Sequence, residues 1–158
     1  MRFGFFSPRT RILLAVLMLL IVGAVQGTGY FSVLGVQPNL ILVTLIIFSL
    51  FIQTLPNYLL LVLLGAISIQ PQAGFSKESL VLSLVSLLAF WLKSRRVTQT
   101  LPGIAALMLI ATGVFYLLLD PTFLVGSVSV VLLEALYNVI IAVFLFEVCA
   151  WYQRKIVG

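Results

Sequence analysis

The chain contains no histidine, a single cysteine (Cys149), and only four acidic residues, Glu78, Asp120, Glu134 and Glu147, among 158. The missing histidines and lone thiol remove the usual zinc and haem ligand sets and any intramolecular disulfide framework. We therefore expect neither a metal nor another cofactor. Charge is equally scarce. Only 8% of residues are charged, against roughly a quarter in soluble globular domains, too few to cover the outside of a water-soluble core. Soluble enzymes and nucleic-acid binders are set aside on that ground.

What the chain has instead is apolar length. Hydrophobic residues make up 63% of it, and the mean hydropathy is +1.27. An integral membrane protein is expected. The net charge of +5 comes from basic residues clustered between apolar runs. That pattern reads as a topology signal rather than a nucleic-acid surface.

The first run, Ile12 to Val25, follows Arg9 and Arg11 and leads into Gln26-Gly27-Thr28-Gly29, which predicts a span over 12–30. A removable signal peptide competes with this reading, and the absence of a small-x-small cleavage site after the run argues against it. From Leu40 to Gln70 the chain is apolar apart from Gln53-Thr54-Leu55-Pro56-Asn57. One helix over those 31 residues would reach about 46 Å, well beyond a hydrocarbon core of roughly 30 Å. The Pro-Asn pair favours a helical hairpin instead, with spans at 38–55 and 57–70. Further spans are predicted at 79–92, at 101–119 ending on Asp120-Pro121, and at 128–151.

Six spans place Arg2, Arg9, Arg11, Lys93, Arg95, Arg96, Arg154 and Lys155 on the side of the termini and only Lys77 opposite. Positive charge gathers on the cytoplasmic side, so both termini are expected there and the chain reads as a single multi-pass domain, residues 1–158. The expected fold class is an all-α membrane protein of six transmembrane helices. Lys93, Arg95, Arg96, Arg154 and Lys155 are the expected cytoplasmic anchors.

With short connections, the longest near Gly27 to Gln37, any site must be carried by polar residues inside the spans. Charged or unpaired polar groups in that environment need partners. Glu134 and Asn138 are four residues apart and share a helix face that Ala142 continues. They read either as an inward ligand or partner contact or as hydrogen-bonding glue between helices, and the second is commonplace. Glu147 is rotated away from them and is expected to pair with Arg154 or a basic loop. Asp120 is expected at the external interface, and Gln70, Gln72, Lys77 and Glu78 in an external turn. Gly23 and Gly27 form a small-xxx-small spacing at one span's edge. There is no phosphate-binding loop, serine elbow or paired acidic site, so a non-enzymatic protein is expected.

Two segments together resemble the rod shape-determining protein MreD family. One is Val36-Gln37-Pro38-Asn39-Leu40-Ile41-Leu42-Val43, where members have proline, then Asp or Asn, then an aliphatic run. The other is Glu134-Ala135-Leu136-Tyr137-Asn138-Val139-Ile140-Ile141-Ala142, where members have an asparagine followed by apolar residues. Length, span number and the basic loop after the fourth span also fit. The chain departs where members often carry an Asp and a Ser-Gly turn: Gln70 and an apolar stretch stand there. Nothing carried by that acid is transferred to this chain.

The resemblance implies a non-catalytic subunit of the bacterial elongation machinery in the inner membrane, beside MreC and indirectly linked to MreB filaments, organising side-wall peptidoglycan synthesis. It carries over to Pro38, Asn39 and Asn138 as partner or packing contacts, and helix geometry adds Glu134. The family's fold also looks like the six-helix substrate-binding subunits of energy-coupling-factor vitamin transporters. A small-ligand carrier of that kind is the alternative from another class.

Overall fold

The computed structural model describes residues 8–32, 34–69, 76–93 and 100–157. They contain seven helices: α1 Pro8–Gly27, α2 Leu40–Phe51, α3 Leu55–Ile69, α4 Lys77–Leu92, α5 Leu101–Leu119, α6 Pro121–Gly126 and α7 Val128–Val157. Two stretches, Leu101–Leu119 and Val128–Trp151, are long and apolar enough to cross a membrane. Ile12–Gly27, Leu40–Phe51 and Leu55–Ile69 are apolar but shorter.

The architecture is organised around α2, and its sequence says why. Leu40 to Ser49 are all buried. The helix has no polar face to turn outward, because its two hydroxyls bond back to their own backbone, Thr44 to the Leu40 carbonyl at 2.8 Å and Ser49 to the Ile46 carbonyl at 2.6 Å. A helix apolar on every side is stable only when surrounded. α1, α3, α4 and α7 pack directly against it, while α3 packs on α4, α4 on α5, and α5 on α7.

The surrounding helices each give one stripe to this core. In α5 the buried residues are Ile104, Leu107, Met108, Ala111, Thr112 and Phe115, the three-and-four spacing of a single helix face. In α7 the buried stripe is Val131, Glu134, Ala135, Asn138 and Ala142. Large apolar side chains on the other faces point outward, among them Leu13, Leu17, Leu84, Ile110, Leu132 and Phe144.

Contacts between helix ends show that successive long helices alternate in direction. At one end, Gln26 of α1 meets the start of α2, Ser79 of α4 donates to the Ala66 carbonyl of α3 at 3.0 Å, and Lys77 donates to the Leu119 carbonyl of α5. At the opposite end, Lys93 beyond α4 donates to the Ile52 carbonyl beyond α2. Three helices are tied across the middle by Tyr58 of α3. Its buried hydroxyl lies within hydrogen-bond reach of the Leu45 carbonyl at 3.2 Å and the Ser86 carbonyl at 3.0 Å, and its ring stacks on Phe90.

Most helix ends differ from the sequence reading by a few residues: α1 stops at Gly27, where the chain turns instead of continuing to 30, and α7 runs past 151 to Val157. Two differences change the connections. The α2–α3 turn is Ile52–Thr54, not Pro56-Asn57. Pro56 instead occupies the first turn of α3, where its missing N–H has no intrahelical partner to lose, and the Tyr58 amide closes the first bond onto the Thr54 carbonyl at 3.2 Å. The segment after Asp120 forms α6, which was read as a connection. Asp120 caps it by accepting from the Thr122 and Phe123 amides at 2.9 and 3.1 Å, with Pro121 in the first turn.

Candidate functional site

The start of α2 is buried, so its unpaired N–H groups need acceptors from elsewhere in the protein. Three separate segments supply them. The Asn39 side chain accepts from the Leu42 amide at 3.0 Å, closing an N-cap. Gln26, reaching from the last turn of α1, accepts from the Ile41 amide through Oε1 at 2.9 Å. Asn138 of α7 accepts from the Asn39 amide through Oδ1 at 3.0 Å. The Leu40 amide bonds the Pro38 carbonyl at 3.0 Å.

Asn138 is spent on both sides. Its Nδ2 donates to Thr112 Oγ1 of α5 at 3.1 Å, so one fully buried amide bridges α5, α7 and the α2 cap. One turn further along, the Tyr116 hydroxyl donates to Glu134 Oε2. Thr112 and Tyr116 are four apart on α5, as Glu134 and Asn138 are on α7. Because the two helices run in opposite directions, the pairs form two rungs of one ladder. The upper rung is covered: Phe123 of α6 stacks on the Tyr116 ring at 5.6 Å between centroids, and Phe115 meets it edge-on at 5.7 Å.

Of the four expected contact residues, Asn39 and Asn138 are directly bonded, and Glu134 lies one turn away, 5% exposed and turned inward. Pro38 gives the cap its carbonyl but also borders a different surface. With Phe31, Tyr137, Ile140 and Ile141 it lines an open, apolar notch of about 120 Å³ outside the ladder. Tyr137 and Asn138, about 100° apart on α7, therefore serve different surfaces.

Among the expected basic anchors, Lys93 is engaged with the end of α2, and its ammonium lies 4.6 Å from the Phe90 ring centre. Arg95 and Arg96 lie outside the described residues, as do Arg2, Gln70 and Gln72. Of Arg9, Arg11, Arg154 and Lys155 only the helical backbone is described. Glu147 is exposed on α7. Among the described residues, no three His, Cys, Asp or Glu side chains converge in a metal-binding group.

Sequence reasoning did not single out Gln26, Thr112 or Tyr116 for this site. Their signal was present, since Thr112 and Tyr116 are the polar positions of α5 at helical spacing. They complement an identical spacing on α7. Gly23 and Gly27 differ in their surroundings. A Cβ on Gly23 would meet Ser68 Cβ at 2.9 Å, so α1 and α3 touch there, whereas one on Gly27 would meet nothing within 4 Å.

Comparison of the chain with protein-family models, with curated proteins and with solved structures gives no match.

Proposed function

We propose that this chain is a non-catalytic membrane scaffold of the MreD type, with α1 to α5 and α7 as six crossings of the bacterial inner membrane. The observation that carries the reading is the bond from the Asn39 amide to Asn138 Oδ1. The two segments that resemble MreD, 99 positions apart, meet in one buried junction. A junction of neutral amides fixes how the helices pack while leaving their outer faces for lipid and partners.

Three further features support it. The outward faces of α1, α3, α4, α5 and α7 carry large apolar side chains, as lipid contact requires. Helix direction alternates, so the basic residues gather at the Lys93 end, which the charge rule assigns to the cytoplasm. At 12 residues, α2 rises only about 18 Å, short of a core of roughly 30 Å, so its crossing continues through the non-helical residues Ile52–Thr54. It can lie at membrane depth because its ends are satisfied within the protein.

In this reading the scaffold receives the transmembrane helix of an MreC-like protein, couples indirectly to MreB, and positions peptidoglycan synthases. Basic residues at the cytoplasmic end would meet anionic headgroups. The polar groups at the α2 cap bond one another, as in a packed joint rather than a vacant ligand seat, which favours the scaffold over the small-ligand carrier.

Crosslinking and affinity recovery of tagged protein from its native membrane, followed by mass spectrometry, tests the proposal. Recovery of an MreC-like protein with cell-wall synthases is expected. Energy-coupling ATPases with a bound small molecule would overturn it.

A further inference from the structure

The connection between α1 and α2 was expected to be an extramembrane loop, but its side chains do not suit water. No Asp, Glu, Lys or Arg occurs from Ile12 to Ser76. Within this connection Tyr30 is 88% exposed, Phe31 54% and Leu34 83%. Leu34 is held at φ +54°, in the left-handed region that a branched side chain rarely adopts, between Gly29 at +69° and Gly35 at +78°. The local backbone thus keeps a large apolar side chain turned away from the protein.

Beneath this connection is the open notch of Phe31, Pro38, Tyr137, Ile140 and Ile141. It is continuous along α7 with the exposed apolar residues Leu136, Ile140 and Phe144. Contiguous exposed apolar residues of this kind mark an interaction surface. Its continuity with the outward faces of α1 and α7, and its lack of charge, identify the bilayer as what covers it.

We propose that residues 28–32 and 34–38 form a lipid seat: Tyr30 and Leu34 insert at the interface of the external leaflet, and the notch holds a segment of phospholipid acyl chain. This rests on the membrane reading above. The irregular backbone lies at headgroup level, where water and headgroups satisfy its N–H and C=O groups, because such backbone is not tolerated bare in hydrocarbon. A tyrosine ring suits that depth. Without a charged residue, the seat selects for apolar chain rather than headgroup charge.

Spin labels test it on the full chain in phosphatidylcholine vesicles. In a Cys149→Ser background, labels are placed at Tyr30→Cys and, separately, Leu34→Cys, with Phe144→Cys as the lipid-facing reference and Lys77→Cys as the aqueous one. Both seat labels should collide with oxygen several-fold more often than with a water-soluble nickel chelate, as at position 144 and opposite to position 77. Preferential collision with nickel would make the connection an aqueous loop and overturn the seat. Protection from both would mean that protein covers it, which also overturns it. If the Phe144→Cys label itself favours nickel, the membrane reading fails and the seat with it; failure at positions 30 and 34 alone leaves that reading standing.

Discussion

The two ends of α2 solve opposite problems by different means. At its start, donors lie buried, and neutral oxygens from Gln26, Asn39 and Asn138 come to them from three segments, with Thr112 holding Asn138 in place. At its finish, the exposed group is a carbonyl, and one long cation, Lys93, reaches it across Phe90. The difference follows from burial. A charge enclosed among helices is costly, whereas a half-buried lysine can extend its ammonium to a carbonyl and still approach water. The first end consequently joins four helices, and the second joins two.

Substituting Asn138 should break the first end most severely. Asn138→Leu strands the Asn39 amide and the Thr112 hydroxyl together, and a loss of about 1–3 kcal/mol is expected from leaving buried polar groups unsatisfied. Thermal unfolding in detergent would show it, along with weaker recovery of membrane partners. Unchanged melting and unchanged association would refute the view that this amide holds the junction. In a Thr112→Val background the same substitution should cost less, because one stranded partner is already gone.

Gln26→Leu removes a single acceptor, the one serving Ile41, and is expected to cost about 1 kcal/mol. Faster hydrogen exchange at the Ile41 amide, with the Phe48 and Ile52 amides unchanged, would show that the damage stays at the start of α2. An equal change at both ends would erase the distinction between them.

Lys93→Met keeps most of the apolar stem but loses the cation at the α2 C-terminus. Charges at helix ends are worth about 0.3–1 kcal/mol when partly exposed, so the effect should be the smaller one, and should shrink further in high salt. A loss larger than that of Asn138→Leu would reverse the ranking of the two ends.

Much of this contrast was readable before the structure, and the parts that were not share a cause. Helix faces follow from spacing within one segment, so Glu134, Asn138 and Ala142 could be placed on one shared face, which the structure buries. The hairpin within Leu40 to Gln70 was legible because its apolar length exceeds a single helix's needs. Its turn was misplaced because proline both breaks helices and begins them, and only the neighbouring hydrogen bonds decide which. Gln26, Thr112 and Tyr116 escaped notice because their roles exist only once distant helices pair. The central position of α2 is similar: its uniformly apolar sequence demands burial but does not say by which helices.

The smallest expected effect lies at α6, a third helix start and a useful contrast with α2 because it is solvent-facing. Asp120 caps it with an ionised carboxylate. The Thr122 hydroxyl, bonded at 2.6 Å, and then the Phe123 amide hold that carboxyl below its usual range. A carboxyl with a lowered folded-state pKa binds protons more readily in the unfolded chain. Its stabilising effect is therefore complete above the ordinary Asp range and is lost as pH falls through the lower, folded value. Acidification should loosen α6 and the Phe123–Tyr116 stack while leaving the neutral amides at α2 unaffected. Asp120→Asn should abolish that pH dependence while retaining an N-cap of comparable strength. Tyrosine fluorescence and amide exchange across an acid titration would separate the two starts; parallel loosening of α2 and α6 in the unsubstituted protein would mean that α6 is part of the same cooperative unit rather than an independent cover.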